Sequence, residues 1–202
     1  QKTQAKKMNK KIYAIIIIFV ALALSLALAS RNPKKQPPVQ NNTNDLATPE
    51  EEKENSISEP INQAKARVTK KPFGIKISPE NSPVSPERFS GYHTGVDFES
   101  FPDEQNSEVE IYAICSGPLV YKNYVSGYGG MVAQSCKING QDVTVLYGHL
   151  KLTSVLVNLN QELNQGQQLG ILGKGLSTET DGERKHLHLS IYKGKDINLR
   201  GY

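Results

Sequence analysis

The chain has 202 residues, 37% of them hydrophobic, which allows one ordinary domain with extensions and implies that part of the chain is unpacked. The formal net charge is +4, but residues 72–202 contain 11 basic and 14 acidic side chains, so the positive charge belongs to residues 1–71. A nucleic-acid-binding surface on the folded part is therefore not expected.

The N-terminal region predicts export. Ile12–Ala29 is an uncharged run rich in Ile, Leu and Ala, and four lysines within residues 6–11 precede it. Residues 1–29 are interpreted either as a signal peptide, cleaved after Ala27-Leu28-Ala29, or as a retained membrane anchor. In the first case the protein is secreted, and in the second it contacts the membrane through this segment and faces the cell wall or periplasm.

Residues 30–71 are predicted to be a disordered linker. They combine several prolines with Asn, Gln, Glu, Lys and Ser and show little periodic hydrophobicity. Such a segment buries too little apolar surface to offset the entropy of ordering it. Its expected role is a flexible tether.

Residues 72–202 are predicted to form one all-β domain, a compact antiparallel barrel or sandwich without a long helix. The predicted strands are short and separated by Gly, Pro and Asn. Asn139-Gly140 is the dipeptide preferred in a two-residue type I′ turn. That turn pairs Met131–Ile138 with Gln141–Tyr147 and places Lys137 opposite Asp142 and Cys136 opposite Val143. The other predicted strands are Val109–Cys115, Ser154–Leu156, Gln168–Leu172 and His186–Tyr192.

The two cysteines, Cys115 and Cys136, suit an oxidising compartment. We expect them to form a structural disulfide near the hairpin; the alternative is a pair of free buried thiols. Two cysteines are too few for a four-thiolate zinc site, so any zinc would need His and carboxylate ligands.

All four histidines lie in short patterns within the predicted β domain. In a strand, His186 and His188 point to one face, while Leu187, Leu189 and Ile191 point to the other face and towards the core. Adjacent imidazoles disfavour joint protonation, which suits metal binding or base catalysis.

A second pattern supplies one imidazole and one carboxylate. His93 and Asp97 are four residues apart, with Gly95 between them permitting a tight turn, and His149 follows the hairpin strand. Two histidines and one aspartate bind zinc well and leave one position open for water. Spacing alone leaves open whether His186 or His188 is the ligand. Three tyrosines are candidates for lining the cleft around this predicted zinc site: Tyr92, Tyr128 and Tyr147.

The order His-x-x-x-Asp, Tyr-Gly-His-Leu and His-Leu-His resembles the lysostaphin/LytM-type metalloendopeptidases, and the resemblance covers residues 73–202. It implies an antiparallel β fold with one zinc ion per domain. By position, the implied metal ligands are His93, Asp97 and His188. The implied catalytic residues are His149 and His186, which deprotonate the attacking water and stabilise the tetrahedral intermediate.

One segment departs from the family pattern. Enzymes of this type often have a Gly-Ser-Thr-Gly-Pro stretch before the His-x-His, whereas residues 175–185 here are longer and include several charged side chains. A charged rim thus replaces a rim of small residues, so the substrate preference of better-known members does not transfer directly.

The predicted function is zinc-dependent hydrolysis of the peptide cross-links of bacterial peptidoglycan. The bond between D-alanine and a diamino acid and the glycyl–glycine bond are both open as targets. The alternative is an inactive wall-binding regulator that activates a separate hydrolase; a zinc carrier ranks lower because it predicts a closed coordination sphere. The expected partner is a peptidoglycan peptide, without nucleic acid, and the expected state is a monomer.

Overall fold

A computed structural model describes residues 57–202. The predicted signal or anchor segment, and the linker up to residue 56, lie outside the described residues. The described part has one short α-helix, three single-turn 3-10 helices and ten strands. The helix, α1, spans Ala64–Arg67. The strands are β1 (Lys76–Ile77), β2 (Gly91–Tyr92), β3 (Val96–Glu99), β4 (Glu110–Tyr112), β5 (Gly117–Val125), β6 (Gly129–Ile138), β7 (Gln141–Gly148), β8 (Glu162–Leu163), β9 (Gln168–Ile171) and β10 (His186–Lys193).

A six-stranded antiparallel sheet forms the centre of the domain. Its strand order is β3-β10-β7-β6-β5-β8, and two small sheets, β1-β2 and β4-β9, accompany it. The prediction of an all-β antiparallel domain is therefore confirmed. Among residues 57–202, no helix is long and apolar enough to span a membrane.

The β6–β7 hairpin forms in the predicted register. Lys137 pairs with Asp142 and Cys136 pairs with Val143. Asn139 and Gly140 have φ values of 50° and 72°, as a type I′ turn requires. The register is fixed here because the turn has two residues and one face of each strand is buried.

The disulfide between Cys115 and Cys136 is present, and it joins the segment before β5 to β6. Both cysteines are buried in the main hydrophobic cluster, together with side chains from β4, β7 and β10. Two local predictions are wrong. Residues Ser154–Leu156 form no strand, because a 3-10 turn at Leu152–Ser154 precedes an irregular segment. Ile191 is 46% exposed, since only Leu187 and Leu189 of that strand face reach the core.

Residues 57–71, within the predicted linker, pack on the β domain. Ile61 is fully buried and bridges to Ile111. Arg67 is also buried, with Nη1 2.6 Å from Glu104 Oε2 and its guanidinium over the ring of Phe101. Together with backbone hydrogen bonds to the domain, these buried side chains hold a polar segment that lacks hydrophobic periodicity.

Candidate metal centre and active site

Three side chains converge at one end of the central sheet. His93, Asp97 and His188 are all buried, and one potential ligand atom from each lies within 4.8 Å of the other two. His188 Nδ1 is 3.0 Å from both His93 Nε2 and Asp97 Oδ1, and His93 Nε2 is 3.3 Å from Asp97 Oδ1. The cluster gathers two imidazoles and one carboxylate, a set of donors that suits zinc.

Strand pairing explains this convergence between residues about ninety positions apart. The β10–β3 register places His188 directly opposite Asp97, and His93 lies just before β3. Gly95 is required by close packing: a Cβ there would lie 2.6 Å from His188 Nε2 and from Ser190 Oγ. Any larger residue would push the β2–β3 connection away from β10 and separate the three ligand atoms.

Outer hydrogen bonds orient each of the three candidate ligands. His93 Nδ1 is 3.2 Å from the carbonyl oxygen of Pro72, and His188 Nε2 is 2.8 Å from Ser190 Oγ. The backbone N–H of Asp97 donates to the carbonyl oxygen of Lys71. Each imidazole therefore has one nitrogen engaged outside the cluster and the other directed into it, as second-shell bonds around zinc sites do.

The electrostatics favour an ionised Asp97 carboxylate beside a neutral His188 imidazole. Burial alone would raise the pKa of Asp97, but the charge of His186 and hydrogen bonds from His186, His188 and His93 hold that pKa well below its usual range. Burial lowers the pKa of His188, and this effect exceeds the opposing influence of Asp97. These are the protonation states that metal binding needs.

The other two histidines lie beside the cluster. The ring centroids of His149 and His186 are 4.3 Å apart, and His186 Nε2 is 3.3 Å from Asp97 Oδ2. His186 Nδ1 is 2.9 Å from the carbonyl oxygen of Arg184, which assigns a proton to Nδ1. All five residues predicted from the sequence are therefore brought together.

His149 combines backbone strain with an unpaired side-chain nitrogen. Its φ is 63°, in the left-handed region that few residues other than glycine adopt. Nδ1 is buried without a hydrogen-bond partner. Burial, followed by the charges of His186 and His188, lowers the pKa of His149 well below 6.5. A neutral imidazole held in this way can accept a proton.

A cavity of about 220 Å³ opens onto these residues, and its lining contains side chains that the sequence did not indicate. Tyr202 stacks on Phe89 and on His93, with ring centroids 5.1 and 5.3 Å apart. Lys71 donates to the hydroxyl of Tyr202. No short motif signals these residues, because they come from segments distant in sequence. Of the three predicted tyrosines, Tyr128 lines the cavity.

The remaining two tyrosines have other surroundings. Tyr147 is fully buried, and its hydroxyl accepts from the Ile114 N–H and donates to Gln134 Oε1. Tyr92 is 63% exposed. Neither residue is among those that line the cavity.

The charged segment before the His-x-His borders the same site. Arg184 Nη2 donates to Asp97 Oδ2 at 2.8 Å, and Arg184 also binds Glu99. Farther out, Arg88 donates to Glu183 and to the backbone and side chain of Asp181. The rim is therefore cross-linked by charge, and one of its arginines contacts a candidate metal ligand.

Fold and site together define an antiparallel β domain that carries a candidate metal centre of the hydrolase type. The sequence profile of peptidase family M23 matches residues 91–199, just over half of the chain. The chain therefore belongs to peptidase family M23, which confirms the resemblance to LytM-type enzymes. No curated protein gives a significant match.

Solved structures are similar in fold. Helicobacter pylori Csd3 is 21% identical, with a TM-score of 0.48, over 72% of this chain and 34% of that one. A zinc-containing peptidase from Vibrio cholerae is 19% identical, with a TM-score of 0.44, over 69% and 37%. LytU is 23% identical, with a TM-score of 0.46, over 65% and 76%. The chain spans about a third of the length of the first two.

Proposed function

We propose that this protein is an exported zinc-dependent endopeptidase that hydrolyses the peptide cross-links of bacterial peptidoglycan. The observation that carries the proposal is the convergence of His93, Asp97 and His188 within 4.8 Å, with two further histidines beside them. Burying three ionisable side chains in one place costs desolvation energy, which a bound cation would offset.

The proposed metal is one zinc ion held by His93, Asp97 and His188. The residues fit it, because each ligand directs one free atom inward and has its other side fixed by the protein. When bound, zinc supplies a Lewis acid that polarises the scissile carbonyl and acidifies a water molecule. Three protein ligands leave a position for that chemistry.

The proposed catalytic residues are His149 and His186. Neutral His149 accepts a proton as the water oxygen bonds to the carbonyl carbon, and that proton passes to the leaving amine when the carbon–nitrogen bond breaks. With Nδ1 bound to the carbonyl oxygen of Arg184, His186 would donate from Nε2, in its doubly protonated form, towards the developing negative charge on the carbonyl oxygen. The ring centroids of His149 and His186 are 4.3 Å apart and His186 Nε2 is 3.3 Å from Asp97 Oδ2, so the two rings can face one substrate group.

The proposed substrate follows from family membership together with the predicted export of the domain. A domain outside the membrane, tethered by residues 30–56 or secreted, meets the peptidoglycan layer directly. We propose that the protein acts there as a monomer, with residues 72–202 as the catalytic domain and residues 57–71 packed on it.

The test is turbidity clearing of purified peptidoglycan sacculi by the full chain in detergent. We expect clearing that stops on removal of zinc with a chelator and returns when one equivalent of zinc is added. His149→Ala should bind one zinc ion and lose at least about a thousandfold in rate, because it removes the base and leaves the ligands.

Two outcomes separate the alternatives. Clearing unaffected by the chelator would exclude the metal mechanism. Zinc binding at one equivalent without clearing, on sacculi from several cross-link types, would favour the inactive regulator that activates a separate hydrolase. Mass spectrometry of released fragments identifies the bond that is cut.

A further inference from the structure

Arg184 is anchored at the edge of the candidate site by two carboxylates. Nε donates to both oxygens of Glu99, and Nη2 donates to Glu99 Oε1 at 2.5 Å and to Asp97 Oδ2 at 2.8 Å. A guanidinium has five N–H groups, and these bonds engage the three on Nε and Nη2. The two N–H groups on Nη1 remain.

Nη1 of Arg184 is buried and has no hydrogen-bond partner. A buried charged donor without an acceptor destabilises the protein more than a neutral one does. Among residues 57–202, the other buried side-chain nitrogen or oxygen atoms without partners belong to Tyr128 and His149. All three residues line the same cavity, so a ligand bound there could supply the missing hydrogen-bond partners.

Charge balance favours an anionic ligand. The Arg184 guanidinium is positively charged, because an arginine side chain does not lose its proton in proteins. A divalent cation bound by His93, Asp97 and His188 would neutralise the negative charge of Asp97. Glu99 is shared with Lys70, whose Nζ lies 3.6 Å from Glu99 Oε2. The metal-loaded site therefore carries surplus positive charge beside the reacting groups.

We propose that Arg184 is a specificity-determining residue that binds a free carboxylate adjacent to the scissile peptide bond through Nη1. The inference rests on the proposed function and names its substrate class: cross-links made through a diamino acid whose second α-carboxylate is free, in preference to uncharged glycine bridges. A planar guanidinium and a carboxylate match in geometry as well as charge. Because Nη1 is buried in the free protein, binding requires the guanidinium to give up part of its contact with Glu99 and to expose Nη1 to the cavity that Arg184 lines.

The test compares two synthetic cross-linked peptides on the zinc-loaded full chain. Both contain a D-alanyl–diaminopimelyl bond, and they differ only in whether the carboxyl group next to that bond is free or amidated. We expect kcat/KM for the free carboxylate to exceed that for the carboxamide by roughly tenfold to a hundredfold. Dissociation constants for the same pair, measured by fluorescence anisotropy on labelled peptides with His149→Ala, should show the same preference without turnover.

The variant Arg184→Lys keeps a positive charge for Asp97 and Glu99 but removes the planar fork. For this variant, the ratio of kcat/KM between the two peptides should fall to within about threefold of one, and so should the ratio of their dissociation constants. Because the two peptides are compared on one protein, a change in zinc affinity cancels from the ratio. Arg88→Lys is the matched control: Arg88 lies on the rim, bound to Asp181 and Glu183, and the preference should persist.

Each result decides the inference. An equal rate on both peptides in the wild type, or an unchanged preference in Arg184→Lys, overturns the role of Arg184 and leaves hydrolysis intact. If neither peptide is hydrolysed, the proposed function fails on this bond, and the binding pair still decides the role of Arg184. A tenfold binding preference that Arg184→Lys removes would support it, and equal or absent binding would overturn it.

Discussion

The two ends of the central sheet use polar groups in opposite ways. At the hairpin end of β6 and β7, the Asn139-Gly140 turn and the Cys115–Cys136 disulfide close the structure with partners from the chain itself. At the other end, roughly 23 Å away along the eight residues of β7, a carboxylate and four imidazoles are buried together. There the unpartnered atoms of Tyr128, His149 and Arg184 all border one cavity.

This difference separates stability from function along the same strands. At the hairpin end, the turn and the disulfide are formed by groups of the protein itself, so these residues contribute to the free energy of folding. The histidine end holds polar groups at a cost that only a ligand can offset, which is the pattern expected of a functional site in an otherwise consistent fold. Changes at the two ends should therefore affect different measurements.

The largest expected effect is from Asp97→Asn. Removing the charge of the carboxylate that belongs to the three-residue cluster should weaken zinc binding at least about a hundredfold and reduce hydrolysis by about a thousandfold or more. Glu99→Gln is the matched control, because Glu99 also accepts from Arg184 but does not face the cluster. Titration with a competing chromogenic chelator measures the zinc affinity of both variants. Full zinc affinity in Asp97→Asn would refute the assignment of the ligands.

Next in size is removal of the disulfide. Replacing Cys115 and Cys136 by serine releases a constraint across a separation of 21 residues, which should lower the free energy of unfolding by about 3 kcal/mol. Because the bond lies at the hairpin end, zinc stoichiometry at low temperature should not change. Urea unfolding measures the stability of the variant, and zinc titration of the folded variant measures its stoichiometry. Loss of zinc binding with little loss of stability would contradict the assignment of the disulfide to stability alone.

Two glycines give a smaller, paired test. Gly140→Ala, at φ 72° with open space around the added Cβ, should cost about 1 kcal/mol of stability and leave zinc binding alone. Gly95→Ala, whose Cβ would clash with His188 and Ser190, should instead weaken zinc affinity by roughly tenfold or more. Gly140→Asn should recover part of the loss, since asparagine tolerates the left-handed region.

The smallest expected effect is the displacement of a pH profile. The pKa of His149 is lowered from 6.5, mainly by burial, so the base stays neutral and active until the pH falls below that value. The acid limb of kcat/KM, measured between about pH 5 and 8 in zinc-buffered solution, should therefore have its midpoint under 6.5. A midpoint at or above 6.5 would contradict the assignment of His149 as base. In stability terms the sign is the same: His149 lowers stability only when the pH falls below 6.5.

Much of the fold and the candidate site could be read from local patterns. Asn139-Gly140 specified its own turn, and the alternation in residues 186–189 specified which side chains share a face, because turn geometry and strand period are properties of a few adjacent residues. The same logic failed for Ile191, where alternation continued but the core did not extend that far. It also failed for Ser154–Leu156, where a 3-10 turn interrupts the chain.

The sequence by itself determined the β class, the hairpin register, the identity of the five clustered residues and, through their order, the family. Tertiary structure alone decided that His188 Nδ1 meets Asp97 and His93, that residues 57–71 join the domain, and that Arg184, Phe89 and Tyr202 border the site. The physical reason is range: turns and strand faces depend on neighbours in the chain. Contacts across 50 to 131 positions, such as Ile61–Ile111 and Lys71–Tyr202, depend on how distant segments pack, and no local pattern records that.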